Sequence, residues 1–293
     1  MGLPASKFSC LPCCAQPIAD RDIPHCEKVA PEKGVFAVQA FVAGPKGQDL
    51  GRVRFICVSD THGFHRKLQL PNDPDIIFLH CGDFSGGRSK GGDQAPPGLK
   101  GLQDFNDWLG TLPYKHRIII GGNHELALPD EPKAASKVLS NATEYLHASQ
   151  ATIPGPNGTF LSVWGAPHRP KRGCCYKKNK FEVSVEERVS VYGAMPEGVH
   201  VVMTHGPPFG VRDEERAGHI GDEHMLDADC RAQPLVHCFG HVHPQRGASR
   251  LRHQDTGKST LFFNAASIQN HDARGEVAPP IVFDLELIGS GPE

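Results

Sequence analysis

The chain has 293 residues, of which 39% are hydrophobic and 22% charged, and a formal net charge of -2. Such a length buries a sizeable core, and no run approaches the roughly 20 apolar residues of a membrane-spanning helix. The near-neutral charge supplies no basic field for gripping a polyanion, which disfavours dedicated nucleic-acid binding and favours a small substrate.

The first residues, Met1-Gly2-Leu3-Pro4-Ala5-Ser6, match the N-myristoylation pattern with Gly2 as acceptor. One acyl chain holds a membrane only marginally, and Cys10, Cys13 and Cys14 could carry the palmitoyl groups of a second signal. Two other readings compete: an inert tail, and a Cys-x-x-Cys metal clip completed at poor spacing by His25 and Cys26. Residues 1–33 are therefore read as a disordered, lipidated N-terminal segment, proline-rich from about residue 11, and 34–293 as one folded domain. No secretory signal is visible, so the expected setting is intracellular, with reduced thiols and attachment to the cytoplasmic face of a membrane.

Strands are expected at 34–43, 53–58 and 76–80, the last two followed by Asp60-Thr61-His62 and by Gly82-Asp83. Cys57 and Cys81 read as small buried residues near those strands. Leu102, Phe105, Leu109 and Leu112 recur at helical spacing, and Trp108 joins their face. Ile118 to Ile120 forms a short buried strand that exits through Gly121-Gly122-Asn123-His124-Glu125. A helix is expected at 132–140, and a strand at 159–164 precedes a basic segment from His168 to Lys180 that reads as a solvated loop, with substrate contact by Arg169, Lys171 and Arg172 as the alternative. Strands at 199–204, 234–239 and 261–263 end in His205, in Gly240-His241-Val242-His243 and in Asn264, and one at 280–285 closes a sheet.

This alternation predicts an α/β fold of two stacked mixed β-sheets flanked by helices, the later one more antiparallel because too little sequence separates its strands for full helices throughout. The site is expected at the strand C-terminal ends. Asp60, His62, Asp83, Asn123, His124, His205, His241 and His243 gather there as oxygen and nitrogen donors suited to Mn²⁺, Fe or Zn²⁺. Residues two apart in extended chain face one side, which would aim Asp60 with His62, and His241 with His243, into one pocket. Five strand ends carry more donors than one ion needs, and two ions make a hydrolytic clamp. His65, His80, His116, His147, His168, His237 and His253 read as structural or exposed, with His80 close enough to brace Asp83.

The succession Asp60-x-His62, Gly82-Asp83, Gly122-Asn123-His124-Glu125, His205 and Gly240-His241-x-His243 resembles the calcineurin-like metallophosphoesterase superfamily. Phe105 to Gly110, Leu112-Pro113-Tyr114, Thr204 to Pro208 and Pro280 to Leu285 are similar to its class III cyclic-nucleotide-phosphodiesterase-like group. The resemblance implies two divalent ions, Mn²⁺ foremost. Asp60, His62, Asp83 and His243 would hold one, and Asp83, Asn123, His205 and His241 the other. It further implies attack of a metal-bridging hydroxide on a small phosphodiester or nucleotide, with His124 as the catalytic residue protonating the leaving group. A phosphomonoesterase or protein phosphatase would use the same core, and a membrane-tethered, non-catalytic binding module would keep the fold alone. Relatives tend to carry aromatic residues between Pro167 and Ala194, where this chain is basic.

Overall fold

The computed structural model describes residues 24–30, 34–86, 98–171, 179–216, 218–268 and 276–291. Gly2, Cys10, Cys13 and Cys14 lie outside the described residues, as do Arg172, Cys174, Cys175, Lys177 and Lys178 of the basic segment.

Two mixed sheets form the body, as the α/β reading expects. In the six-stranded sheet the order is Val35–Val42, Ile281–Gly289, Asp49–Val58, Ile77–His80, His116–Ile119 and Glu144–Tyr145. In the seven-stranded sheet it is Cys26–Val29, Gly247–Arg252, Ser259–Asn264, Val236–Phe239, Val201–Thr204, Phe160–Ala166 and Ser149–Pro154. Only Ile281–Gly289 with Asp49–Val58 is antiparallel in the first sheet, whereas both edges of the second are antiparallel around a parallel centre. Central strands are covered on both faces and read as unbroken apolar runs: all four residues of Ile77–His80, of Val201–Thr204 and of Val236–Phe239 are buried.

The main core lies between the sheets, where Phe283 stacks on Phe55 at 4.8 Å between ring centroids and meets Phe263 of the other sheet at 5.3 Å. Outside the first sheet the helix Leu99–Leu109 buries Leu102, Phe105, Trp108 and Leu109, so the helical stripe in the sequence is a core face. A second helix, Pro132–Val138, is capped by Glu131, whose side chain accepts from Lys133 and Ala134 main-chain N–H groups. Outside the second sheet lie Val185–Gly193, opened by a Ser184–Glu187 capping box, and Glu223–Ala232, opened by Asp222.

Two expectations need correction. Cys26–Val29 falls in the expected linker yet pairs antiparallel with Gly247–Arg252, so the ordered fold begins before residue 34. The basic segment is not wholly solvated, because His168 and Arg169 are 8% and 4% exposed. Among the described residues no helix is long and apolar enough to cross a membrane.

Candidate metal centre

At the carboxyl ends of both sheets, loops converge and are tied to one another by main-chain bonds. Asp60 N–H donates to Gly82 O at 2.9 Å and His62 N–H to Asp83 O at 2.9 Å, which carries the parallel pairing past the strands. Gly240 N–H donates to His205 O at 3.0 Å, and His241 N–H donates to Asp60 Oδ2 at 2.8 Å, joining the second sheet to the first.

These loops adopt a backbone that side-chain-bearing residues rarely take. Asp60, His62, Asp83 and His241 have φ of 53°, 44°, 53° and 67°. Each such residue costs on the order of 1–3 kcal/mol, held in place by the surrounding structure, and such strain concentrates at functional sites. The alternation argument put Asp60 beside His62 by the wrong route and did not pair His241 with His243, which fall in different donor groups: left-handed turns at Asp60, His62 and His241 aim the donors, not extended chain. Close approach explains two glycines. A Cβ at Gly122 would collide with the Asp83 carboxylate, and one at Gly240 with that of Asp60.

The side chains fall into linked groups whose donor atoms lie within 4.8 Å of one another: Asp60, His62 and His243; His62, Asp83 and His124; Asp83, His205 and His241. One oxygen, Asp83 Oδ2, is 3.3 Å from His205 Nε2, 3.8 Å from His124 Nε2 and 4.0 Å from His62 Nε2. Asp60 Oδ1 is 3.3 Å from His243 Nε2 and 3.9 Å from His62 Nε2. Asn123 Oδ1 meets His205 Nε2 at 3.0 Å, which adds the amide to the third group. All eight residues singled out in the sequence therefore meet at one centre. His124 stands apart in exposure, with 42% of its side chain accessible while the other imidazoles are largely covered.

The donor set fits divalent cations. The Nε2 atoms of His62 and His243 face each other at 3.3 Å, beside two buried carboxylates, and among the described residues Asp60 Oδ1 meets no hydrogen-bond donor in good geometry. A buried acceptor and converging imidazole lone pairs are costly in a plain core and favourable around a cation. Electrostatics divide the imidazoles, lowering His62 and His241 and raising His205 and His243. Burial pushes His62 down to about 4, and burial together with the Arg169 charge holds His241 well below the usual histidine range, leaving both in the neutral form that ligates. Burial would also lower His205, but the Asp83 carboxylate beside it raises it to about 9. Against burial, His243 keeps the Asp60 carboxyl below its ordinary range, and His205 does the same for Asp83.

Around the donors sits a supporting layer that the sequence did not announce. Glu125 is fully buried and accepts from Gly122 N–H at 2.6 Å, Asp83 N–H at 2.8 Å, Ser85 N–H at 3.0 Å and Ser85 Oγ at 2.8 Å. His80 does not brace Asp83 as expected; its Nε2 lies 3.0 Å from Thr61 Oγ1, between Asp60 and His62. The buried amide of Asn264 donates to Val242 O at 2.8 Å and steadies the turn before His243. Glu125 lay inside a motif already in view, but its role depends on partners some 40 residues away. Cys57 and Cys81 are buried beneath the centre as small core residues, 3.7 Å apart at sulfur.

Comparison with known proteins agrees with this geometry. The calcineurin-like phosphoesterase family model matches residues 53–245. Metallophosphoesterase domain-containing protein 1 of Homo sapiens is 30% identical over 262 residues, covering 80% of this chain and 72% of that protein. A UPF0046 protein of Caenorhabditis elegans is 30% identical over 253 residues, covering 80% of this chain and 82% of that one.

Proposed function

The chain belongs to the calcineurin-like phosphoesterase family, and from that premise we propose that it is a dinuclear-metal phosphodiesterase acting on small phosphodiesters, cyclic nucleotides among them. The observation that carries this reading is Asp83, a single carboxylate whose Oδ2 is approached by His62, His124 and His205 from three separate loops. Asp60, His62, Asp83 and His243 would hold one cation, and Asp83, Asn123, His205 and His241 the other. When bound, such ions supply Lewis acidity at the phosphoryl group and acidify water at neutral pH.

The chain's own residues do the remainder. Asp60 and Asp83 bring two negative charges into a buried centre and so make cation binding there favourable. Glu125 fixes the main chain at Asp83 and Gly122, which holds the two donor loops in one geometry. His124 is the half-exposed imidazole at the rim, held by its main-chain N–H, which donates to Asp83 Oδ1 at 2.8 Å. Its ring is placed to hydrogen-bond the departing alkoxide and deliver a proton there.

Mn²⁺ is the ion proposed from the resemblance, with Fe and Zn²⁺, which the same donors also suit, as alternatives. Lipidation at Gly2 and Cys10, Cys13 or Cys14 would place the enzyme on the cytoplasmic face of a membrane. A Gly2→Ala variant whose membrane-bound fraction matches the wild type removes that part of the reading.

Incubation of Mn²⁺-loaded protein with bis-p-nitrophenyl phosphate, followed by a panel of 3′,5′- and 2′,3′-cyclic nucleotides, tests the activity. Hydrolysis of the cyclic nucleotides, which leave as alkoxides, no faster than that by His124→Ala defeats the catalytic proposal. Faster turnover of p-nitrophenyl phosphate than of the diester would make the protein a phosphomonoesterase instead. Metal content below about one ion per chain after loading would favour a non-catalytic binding module.

A further inference from the structure

We propose that the strand Val35–Val42 is a self-association edge, along which two copies of this chain join antiparallel into one continuous sheet. Val35–Val42 is an outer strand of the six-stranded sheet, and among the described residues it is paired on one side alone, with Ile281–Gly289. On its inner face Phe36 and Val38 pack against the core, Phe36 at 4.8 Å from Phe263 between ring centroids, yet both stay only partly buried. On its outer face Ala37, Gln39 and Phe41 are exposed, Phe41 to 64%. An open edge of this kind presents a row of N–H and C=O groups that can template a further strand.

The other outer strands of the two large sheets carry features that discourage such pairing. Glu144–Tyr145 has only two residues, Ser149–Pro154 ends in proline, and Cys26–Val29 holds exposed Glu27 and Lys28 at its centre. Val35–Val42 runs for eight residues, Val-Phe-Ala-Val-Gln-Ala-Phe-Val, without a charge or a proline. Read against itself, this sequence selects its occupant. With a two-fold axis passing between the two Gln39 residues, Val38 stands opposite the partner's Ala40, Ala37 opposite the partner's Phe41, and Phe36 opposite the partner's Val42. Each larger apolar side chain then meets a smaller one on the same face, the arrangement by which cross-strand pairs stabilise a sheet. Gln39 meets its own image, and a carboxamide, being both donor and acceptor, can hydrogen-bond to another carboxamide where a charged group would repel its copy. An unrelated extended segment would gain the main-chain bonds without this matching, which is why a second copy is the occupant proposed. Because the strand has one open side, the pair closes on itself and does not run on into a fibre. Eight residues span about 26 Å, and a single strand edge falls short of the roughly 800 Å² per partner of a standard interface, so the pair is expected to be reversible.

Sedimentation equilibrium on the full chain tests this. Wild type is expected to dimerise with a Kd on the order of 10 µM. Q39K and Q39E each set like charges opposite one another at an exposed position, and circular dichroism is expected to match the wild type for both. Each alone should dimerise about 10-fold more weakly or worse. An equimolar mixture of Q39K with Q39E should recover dimer, because the opposed charges then attract, a result that mere loss of strand stability would not give. A wild type still monomeric at about 100 µM overturns the proposal. So do variants that dimerise like the wild type, and a mixture that stays as monomeric as its components.

Discussion

Glu125 holds the main chain of Asp83: the Asp83 N–H donates to Glu125 Oε2 at 2.8 Å, while Gly122 N–H donates to the same oxygen at 2.6 Å. One buried carboxylate thereby locks the loop after Ile77–His80 to the loop after His116–Ile119. Glu125→Ala strands three buried main-chain donors, at Gly122, Asp83 and Ser85, and each unsatisfied group costs about 1–3 kcal/mol. Expected in urea unfolding with EDTA is a loss of roughly 3 kcal/mol or more, together with reduced Mn²⁺ content after loading. Unchanged metal content and stability would show that the two loops hold their geometry without Glu125.

Behind His205 a second brace runs through Asp229, His237 and Thr204. His237 Nδ1 is 2.9 Å from Asp229 Oδ2, its Nε2 is 2.8 Å from Thr204 Oγ1, and Thr204 Oγ1 donates to Gly206 O at 2.7 Å. All three side chains are buried. Removing one partner of a buried pair costs about 3–5 kcal/mol because the other is stranded, whereas replacing both with apolar groups costs far less. Asp229→Leu is therefore expected to destabilise more than the double variant Asp229→Leu/His237→Phe. Additive losses in that double-mutant cycle would refute the coupling.

What the sequence disclosed follows from where information is local. The donors stand within a few residues of short apolar strands, so Asp60, Asp83, Asn123, His205 and His243 were readable from strand ends alone. Cys26–Val29 was not, because it is an edge strand with its two central residues exposed and no alternating pattern. The helix Val185–Gly193 also escaped notice: Val185 and Val189 are each 50% exposed, so its apolar residues do not mark its buried face. Glu125, His237 and Asn264 act through partners from distant segments, which spacing cannot reveal. Arg169 was visible as charge, but its burial, at 4% exposed, is shared with residues distant in sequence such as Gly206, Pro207 and His241, which line the same cleft.

Acid sensitivity is expected from His168, whose ring meets His147 at 4.6 Å and Phe181 at 6.4 Å. Burial, helped by the neighbouring His147, pushes His168 down to about 4. A histidine with a depressed folded pKa stays neutral while the unfolded chain takes up a proton, so its contribution is intact above about 6.5 and is lost as pH falls toward 4. At pH 5 the loss relative to pH 7.5 is about 2 kcal/mol. Urea unfolding at both pH values, with EDTA present, should give a shallower dependence for His168→Phe, which keeps an aromatic ring in the cluster. Parallel pH profiles for the two proteins would mean that His168 titrates normally.

The role of His124 turns on a distinction that the geometry leaves sharp. Its Nε2 lies 3.8 Å from Asp83 Oδ2 and falls in one donor group with His62 and Asp83, so a ligand role and a proton-donor role are both within reach. Two features favour the donor. The side chain is 42% exposed, at the rim where a leaving group departs, and each proposed cation already has four other donors. Removal of the ring preserves the loop, because the bond from residue 124 to Asp83 Oδ1 is made by main-chain N–H. His124→Ala is therefore expected to bind Mn²⁺ like the wild type and to unfold at the same urea concentration. Its kcat on a diester with an alkoxide leaving group, such as a 2′,3′-cyclic nucleotide, should fall about 10²- to 10⁴-fold, the range of general acid catalysis. The deficit should shrink for diesters with better leaving groups, since a stabilised phenolate needs less protonation. Loss of an ion in the variant would make His124 a ligand, and a constant deficit across leaving groups would remove proton transfer as its task.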